Sequence, residues 1–541
     1  MSKKISELTT ATTVTVDDLL QVVDVEDTTM AVSGTNKKIT ARTLGNNLPV
    51  TATGSSASRS LKDRFADTVN VKDFGAVGDG VADDTAAIQA AIDSFGTKGG
   101  IVQTIGKFRV ASNLTIKPNV FLVGNFKMPG RSTVGSGAAT DYSVVASGSL
   151  RVASTATISL QGGAGLESLL VYRYGMTFPA TTSSTSAAFA GTAVTVTGDD
   201  ASVRSCMIMG FDKAVYSSGT ARLRVDYLYH DNINGIEITN CNDVPYMTNC
   251  HAWPFATIVS GQSWQNLIRS GTAYYLHDFV DWAKLTNCFS YGYAVGFKVS
   301  NANSSVMTAC GADNAYDGAP LHVGSIGYVI QETCYETKLI GCQAAAQDTA
   351  GIFINVDANL NTLIDNQTIW GCGSHGILVQ NGDVHILGGV IRSTASAVTV
   401  DDSSSKISLL GVTFGDTLIT PVQASIANNN VQIKECVFTT FTGQPVSSLL
   451  TASSVASSAA VLLPNNGDVF TITGTTNFGT LQHGWVGREV TLIFSGTLTV
   501  FNGTGSITNM KLLSGVNLNT GPGTVLCLKH NGIQWYETGR A

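Results

Sequence analysis

Seven segments of this chain end in cysteine and share an apolar residue three positions earlier. They are SVRSC to Cys206, YMTNC to Cys250, KLTNC to Cys288, VMTAC to Cys310, KLIGC to Cys342, TIWGC to Cys372 and QIKEC to Cys436. The apolar position is Val203, Met247, Leu285, Met307, Leu339, Ile369 and Ile433. ILGGVIR and LLGVTF continue the pattern, with Val390 and Val412 in the cysteine place. From Cys288 onward the steps are 22, 32, 30, 18, 22 and 24 residues. Irregular repeats of this size, with short segments between Gly and Asn turns, specify a solenoid. A helical solenoid needs apolar stripes at a period of about 3.6 residues, and this stretch has none. Segments such as Gly235–Thr239 and Gly376–Gln380 alternate instead and read as strands. The expected fold is therefore all-β, a parallel β-helix with cysteines and aliphatics stacked inside.

Composition agrees. The 541 residues carry 32 Lys and Arg against 39 Asp and Glu, a net charge of −7, and only 13% are charged. Like charges stacked at a rung spacing of about 4.8 Å repel, so a stacked fold favours an uncharged polar surface. The balance argues against a nucleic-acid partner, which needs a basic patch. It argues against a coiled coil, and 43% hydrophobic residues argue against disorder. No run approaches the roughly 18–20 apolar residues of a membrane span, so no membrane insertion is expected. The opening MSKKISELTT lacks the apolar core of a signal peptide, and synthesis in a cytoplasm is expected. No two of the ten cysteines lie within three positions, so zinc spacing is absent and reduced, buried thiols are expected.

Seven residues before the cysteines stand Asp199, Asp243, Asp281, Asn303, Tyr335, Asp365 and Asn429. Six of the seven are Asp or Asn, which favour turns, so these are read as turn residues before catalytic ones. Residues 69–95 read VNVKDFGAVGDGVADDTAAIQAAIDSF. Asp83 or Asp84 can cap a helix with Ile88, Ala91, Ile92 and Phe95 on its apolar face, suited to cover the open end of a β-helix. The glycines at 75, 78 and 80 lack a following Lys-Ser/Thr and a βαβ setting, so they are not a phosphate loop.

The DFGA-x-GDG turn, the DDT helix start and the A-I-x-A-A-I helix, followed by Gly106-Lys107-Phe108-Arg109-Val110, closely resemble the opening of the pectate-lyase-like right-handed β-helix superfamily, in the branch used by bacteriophage tailspikes. Ile105 stands where that family usually has proline. Residues 1–60 are similar to a virion-binding region and linker; this implies attachment to a phage tail, baseplate or adaptor protein. Residues 61–446 are then the β-helix with its capping helix. Residues 447–541, where the cysteine register stops and Asn-Gly turns join alternating strands, read as a β-sandwich; it resembles the terminal domains of phage tailspikes, which implies that it helps trimerise the chain and can bind carbohydrate. The resemblance implies a homotrimer in the virion tail. It would recognise and depolymerise a bacterial surface polysaccharide, an O-antigen or capsule, by endoglycosidase rather than lyase chemistry. The alternative is a receptor-binding fibre that holds the glycan without cutting it; a free bacterial lyase is a third reading.

A dry β-helix interior leaves function to the outer faces. Three residues after the cysteines stand Trp253, Tyr291, Asp313, Ala345 and His375, a mixed aromatic and acidic line suited to sugar. Tyr293, His251 and Trp264 lie nearby in sequence, and with Trp253, Tyr291 and His375 they are the candidate carbohydrate contacts. Glycoside hydrolysis needs two carboxyls about 5–5.5 Å or 6.5–9.5 Å apart. Stacked rungs supply both spacings. Asp313 is the first catalytic candidate, with Glu332 and Asp317 as partners, Glu237 behind them, and Glu336 also off the turn ladder. His251 or Arg269 would neutralise a uronate in a lyase. No cofactor and no metal are expected, since no acidic cluster suited to calcium is evident.

Overall fold

The computed structural model describes residues 35–127, 148–176, 188–256, 267–315, 321–392, 394–416, 419–465, 467–503 and 508–541, with 17, 19–24 and 29. Asp317 and Trp264 lie outside the described residues. Between Thr68 and Phe438 the chain winds through three parallel sheets, of 14, 14 and 12 strands, taken in rotation once the helix Thr85–Asp93 has stood in for the third-sheet strand of the first coil. Each sheet pairs a strand with the equivalent strand one coil away, so side chains stack in columns. This is a parallel β-helix. Among the described residues no helix is long and apolar enough to cross a membrane.

The corner between the first and second sheets explains the cysteine pattern. Ser205, Tyr227, Asn249, Asn287, Ala309, Asn366 and Glu435 all stand there with positive φ. A left-handed residue turns the chain sharply inward, and the next residue fills the corner. Thiol size suits that corner, and its weak donor finds a carbonyl one coil away. Cys250 Sγ donates to Val225 O (3.6 Å), Cys288 to Met247 O (3.4 Å), Cys310 to Leu285 O (3.6 Å) and Cys342 to Met307 O (3.4 Å). The apolar residue three positions earlier is the inward column of the first sheet, as Met247, Leu285, Met307 and Leu339 show.

The register slips once. Tyr291, Asp313, Ala345, Trp370 and Arg392 are successive partners in the second sheet. The corner position after Cys342 is therefore Gln367, then Gly389, not Cys372 and Val390. Ile369 deceives the alignment because it is also an inward residue, but of the second sheet. His375 consequently opens the strand His375–Asn381 of the third sheet and is off the expected line; Trp370 takes its place.

The helix Thr85–Asp93 buries Ile88, Ala91 and Ile92 completely against the first coils. Asp84 precedes it without capping it: its carboxylate accepts from Val77 N–H (2.6 Å) and Gly78 N–H (3.3 Å), and so ties the glycine turn to the helix start. Inside the third sheet Tyr274, Phe297 and Tyr328 stack at 4.7 and 4.9 Å on consecutive rungs. The C-terminal strands have their own core around Phe470, Leu492, Leu526 and Trp535. They build a six-stranded mixed sheet with two parallel pairs, then two antiparallel pairs, then a parallel pair at the far edge. Near the N-terminus Leu19–Asp24 pairs antiparallel with Thr35–Thr40, and the short helices Ala41–Asn47 and Leu61–Phe65 bury no residue.

Candidate functional site

The second sheet carries the expected aromatic line, but most of it is packed away. The connections from the second to the third sheet are long after Arg173, Ala252 and Asp313. Phe189 and Phe255, in the described parts of these connections, join Tyr172, Met209 and Trp253 in a cluster on the outer face of the sheet. Trp253 is 9% exposed and Tyr293 1%. His251 is half-buried against Tyr229, Phe255 and Phe289. Tyr291 packs at the edge of the cluster, 6.3 Å from Trp253, and donates to Ala315 O (2.8 Å). A ring covered by protein offers little face to a sugar.

Below that cluster Asp231 and Arg269 form an ion pair with both side chains fully buried. Arg269 donates from Nε (2.7 Å) and Nη2 (2.9 Å), and Ala256 N–H adds a third bond to the carboxylate (2.7 Å). Arg269 is thus committed to structure rather than poised for a uronate. Next to it the inward-facing His230 is fully buried, and burial lowers its pKa to about 3. Asp313 lies at the rim, where its strand leaves the sheet. Its carboxylate accepts from Ala315 N–H (2.7 Å), yet burial still pushes its pKa above the usual carboxylate range.

The outer face of the third sheet holds a denser polar group. Glu237, Tyr275 and Lys298 stack in one outward column; Thr239, His277, Ser300 and Gln331 stack in the next. Alternation along the strand places both columns outside, while Tyr274, Leu276, Phe297 and Val299 point in. Glu237 receives Lys213 Nζ (2.7 Å) on one oxygen and pairs with His277 Nε2 (3.3 Å) on the other. His277 Nδ1 meets Asp278 (2.7 Å), and its ring stacks on Tyr275 at 4.2 Å. Lys298 Nζ lies 5.0 Å from the Tyr275 ring. Glu332, one strand further, accepts from Ser300 Oγ (2.6 Å) and Gln331 Nε2 (3.0 Å).

Both glutamates lean toward the middle rungs. Glu237 reaches His277 and Glu332 reaches Ser300, and His277 and Ser300 are direct partners. The two glutamates stand three rungs apart, about 14 Å along the stack, and each side chain reaches inward across part of that gap. The Tyr275 hydroxyl sits in the field of both: burial first, then the charges of Glu332, Asp278 and Glu237, raise its pKa above the usual phenol value. A tyrosine so placed keeps its proton and can donate it as a hydrogen bond. Among the described residues no group of His, Cys, Asp and Glu could hold a metal ion. Two of the expected catalytic residues, Glu237 and Glu332, are thus brought together; Asp313 stands apart on the second sheet. Glu336 is exposed in the turn beyond Glu332. Sequence reasoning missed Tyr275, His277 and Lys298. The signal was present: Glu237 and Tyr275 occupy the same place in GIEIT and AYYLH, but that alignment needs the third-sheet register.

The coils define a parallel β-helix protein with a polar, titratable cluster on one outer sheet. Residues 68–345, just over half of the chain, match the rhamnogalacturonase A/epimerase, pectate lyase-like family, and the chain belongs to that family. Over 64 residues, 10% of this chain, it is 55% identical to mannuronan C5-epimerase AlgE5 of Azotobacter vinelandii, of which the match spans 6%. Alginate lyase 7 of the same organism is 50% identical over 64 residues, with 8% of its length matched. Among solved structures, the A-module of the Azotobacter vinelandii mannuronan C-5 epimerase AlgE4 is similar with a TM-score of 0.42 and 17% identity, over 71% of this chain and 100% of that one. The tailspike protein of E. coli bacteriophage HK620 in complex with pentasaccharide is similar with a TM-score of 0.46 and 10% identity, over 92% and 96%.

Proposed function

We propose that this chain is a tailspike-type polysaccharide depolymerase whose chemistry runs on the outer face of the third sheet. The carrying observation is that Glu237 reaches His277 and Glu332 reaches Ser300, paired positions on neighbouring rungs, with the Tyr275 ring stacked on His277 beside them. Two carboxylates that lean toward one another over a bound sugar can act as acid and base on its glycosidic bond. Glu237, paired with the Lys213 ammonium, suits the anionic role, which leaves the proton-donor role to Glu332. Tyr275 would hydrogen-bond the sugar between them, with His277 and Lys298 fixing its ring. Residues 1–60 attach the protein to a virion, the C-terminal unit at 447–541 trimerises it, and the target is a bacterial O-antigen or capsule.

Purified protein incubated with the surface polysaccharide of a susceptible host should release reducing ends, and E237Q and E332Q should abolish release without unfolding. Unsaturated uronate absorbance in the products would make the enzyme a lyase. Tight binding with no fragments from any susceptible host glycan would leave a receptor-binding fibre. Asp313 supports a second reading, because its raised carboxyl is fit for an acid. Loss of cleavage in D313N, with E237Q active, would move the chemistry to the second sheet.

A further inference from the structure

The outer face of the first sheet has a feature that neither the fold nor the site above accounts for. Arg224, Tyr246, Lys284, Val306 and Lys338 are successive partners in one outward column. Arg224 Cζ lies 5.6 Å from the Tyr246 ring, and Lys284 Nζ lies 5.4 Å from the ring of Trp282 in the adjoining turn. Tyr246 is 39% exposed and Trp282 53%. Trp282 also holds φ +56, an uncommon conformation for so bulky a residue, at the corner where its neighbours in the stack include Ser304. The strain presents a large ring to solvent instead of tucking it in.

Among the described residues the cations lack a close counter-ion: Lys284 Nζ donates to Ser304 O (3.5 Å), and the Asp200 carboxylate in the field of Arg224 is already paired with Arg222. None of Arg224, Lys284 and Lys338 joins an ion pair among the described residues. Burial and the Lys338 charge together push the Lys284 ammonium below its usual pKa, as expected of two like charges sharing a face. Nearby carboxylates are few. Asp226 is held by Thr248 and Asn249, and Glu336, in the turn before Lys338, is exposed and unpaired with it. In a chain of net charge −7 with 13% charged residues, a column of cations two rungs apart is out of character. A groove of about 480 Å³ lined by Arg204, Arg224, Asp226, Tyr246 and Thr248 extends it.

We propose that this column is a second carbohydrate site, a strip that binds an acidic polysaccharide. Two rungs are about 10 Å, comparable to one disaccharide of an extended glycan. The cations therefore meet a carboxylate on every second sugar, with Tyr246 stacking on the ring between Arg224 and Lys284 and Trp282 flanking the Lys284 rung. Trp282 lies in the turn that follows the strand of Tyr275 and His277, so a glycan can pass from the third sheet around the corner onto the strip. The strip extends the function proposed above but does not depend on cleavage.

The test uses the full chain carrying E237Q and E332Q, so that nothing is cut, and hyaluronan octasaccharide, whose carboxylates alternate. Calorimetry at about 20 mM salt should detect binding that weakens with salt, with none to neutral maltooctaose. K284A/K338A should weaken it on the order of tenfold, and W282A should weaken it too, with the fold intact by circular dichroism. Equal affinity of K284A/K338A and its parent, or no hyaluronan binding at all, would overturn the strip. So would a change of mass by light scattering in W282A/K284A, which would make the face a contact between copies of this chain. A failure of fragment release in the native sequence bears on the third-sheet chemistry alone.

Discussion

Asp231→Ala is the most exacting perturbation of this fold. The carboxylate accepts two guanidinium bonds from Arg269 (2.7 and 2.9 Å) and one backbone N–H from Ala256 (2.7 Å). Neither charged side chain has any exposed surface. Removing the carboxylate leaves a buried guanidinium without its counter-ion, which costs about 3–5 kcal/mol. Removing both charges is different: D231L/R269M replaces the pair by apolar groups and should come within about 1 kcal/mol of the parent or exceed it. Urea unfolding, followed at an unchanged slope, reads both values from the midpoint of the β-helix transition. Arg269 begins the strand that carries Tyr275 and His277, so D231A should also lower glycan cleavage more than it changes secondary structure. A D231A midpoint within about 1 kcal/mol of the parent would refute the uncompensated-charge reasoning. A D231L/R269M variant as unstable as D231A would show that the hydrogen-bond geometry, not the charge balance, holds this strand.

Three further outcomes follow from the interior and the site. His230 is held neutral with a folded pKa of about 3 against 6.5 in the unfolded chain, so its contribution is complete above pH 6.5 and is lost as pH falls toward 3. Replacing it, as in H230F, should flatten the acid limb of a stability–pH curve, and an unchanged limb would exclude it as the cause. Tyr275 has a raised pKa, so its contribution is full below the usual phenol range and is lost as pH rises through the folded value. Y275F should cut turnover by roughly 10²-fold while ultraviolet titration loses one late-ionising, half-buried phenol; wild-type turnover in Y275F would remove it from the site. In the native protein a disulfide-exchange reagent should label only Cys436 and Cys527, the two thiols that are not buried, and all ten after denaturation. Rapid native labelling of Cys288 or Cys310 would contradict the closed corner.

The sequence alone determined the class of fold, because a stacked coil repeats its constraints locally. Each corner needs one left-handed residue and one small apolar one, and that pair is written into Asn249-Cys250 and Asn287-Cys288 whatever the rest of the chain does. The capping helix was equally legible, since Ile88, Ala91 and Ile92 follow helical spacing. The one register slip, at Cys372, came from a residue type shared by two sheets. The site was half legible. Glu237 and Glu332 could be named as carboxylates, but they are 95 positions apart in sequence, and only the pairing of His277 with Ser300 brings their side chains toward one another. Tertiary structure also decided which faces are open. Phe189 and Phe255 pack over Trp253, and Tyr293 faces the coil interior, while Trp282 and Tyr246 stay exposed. Burial of an aromatic depends on what a distant connection covers, and that is a property of the folded surface rather than of local spacing.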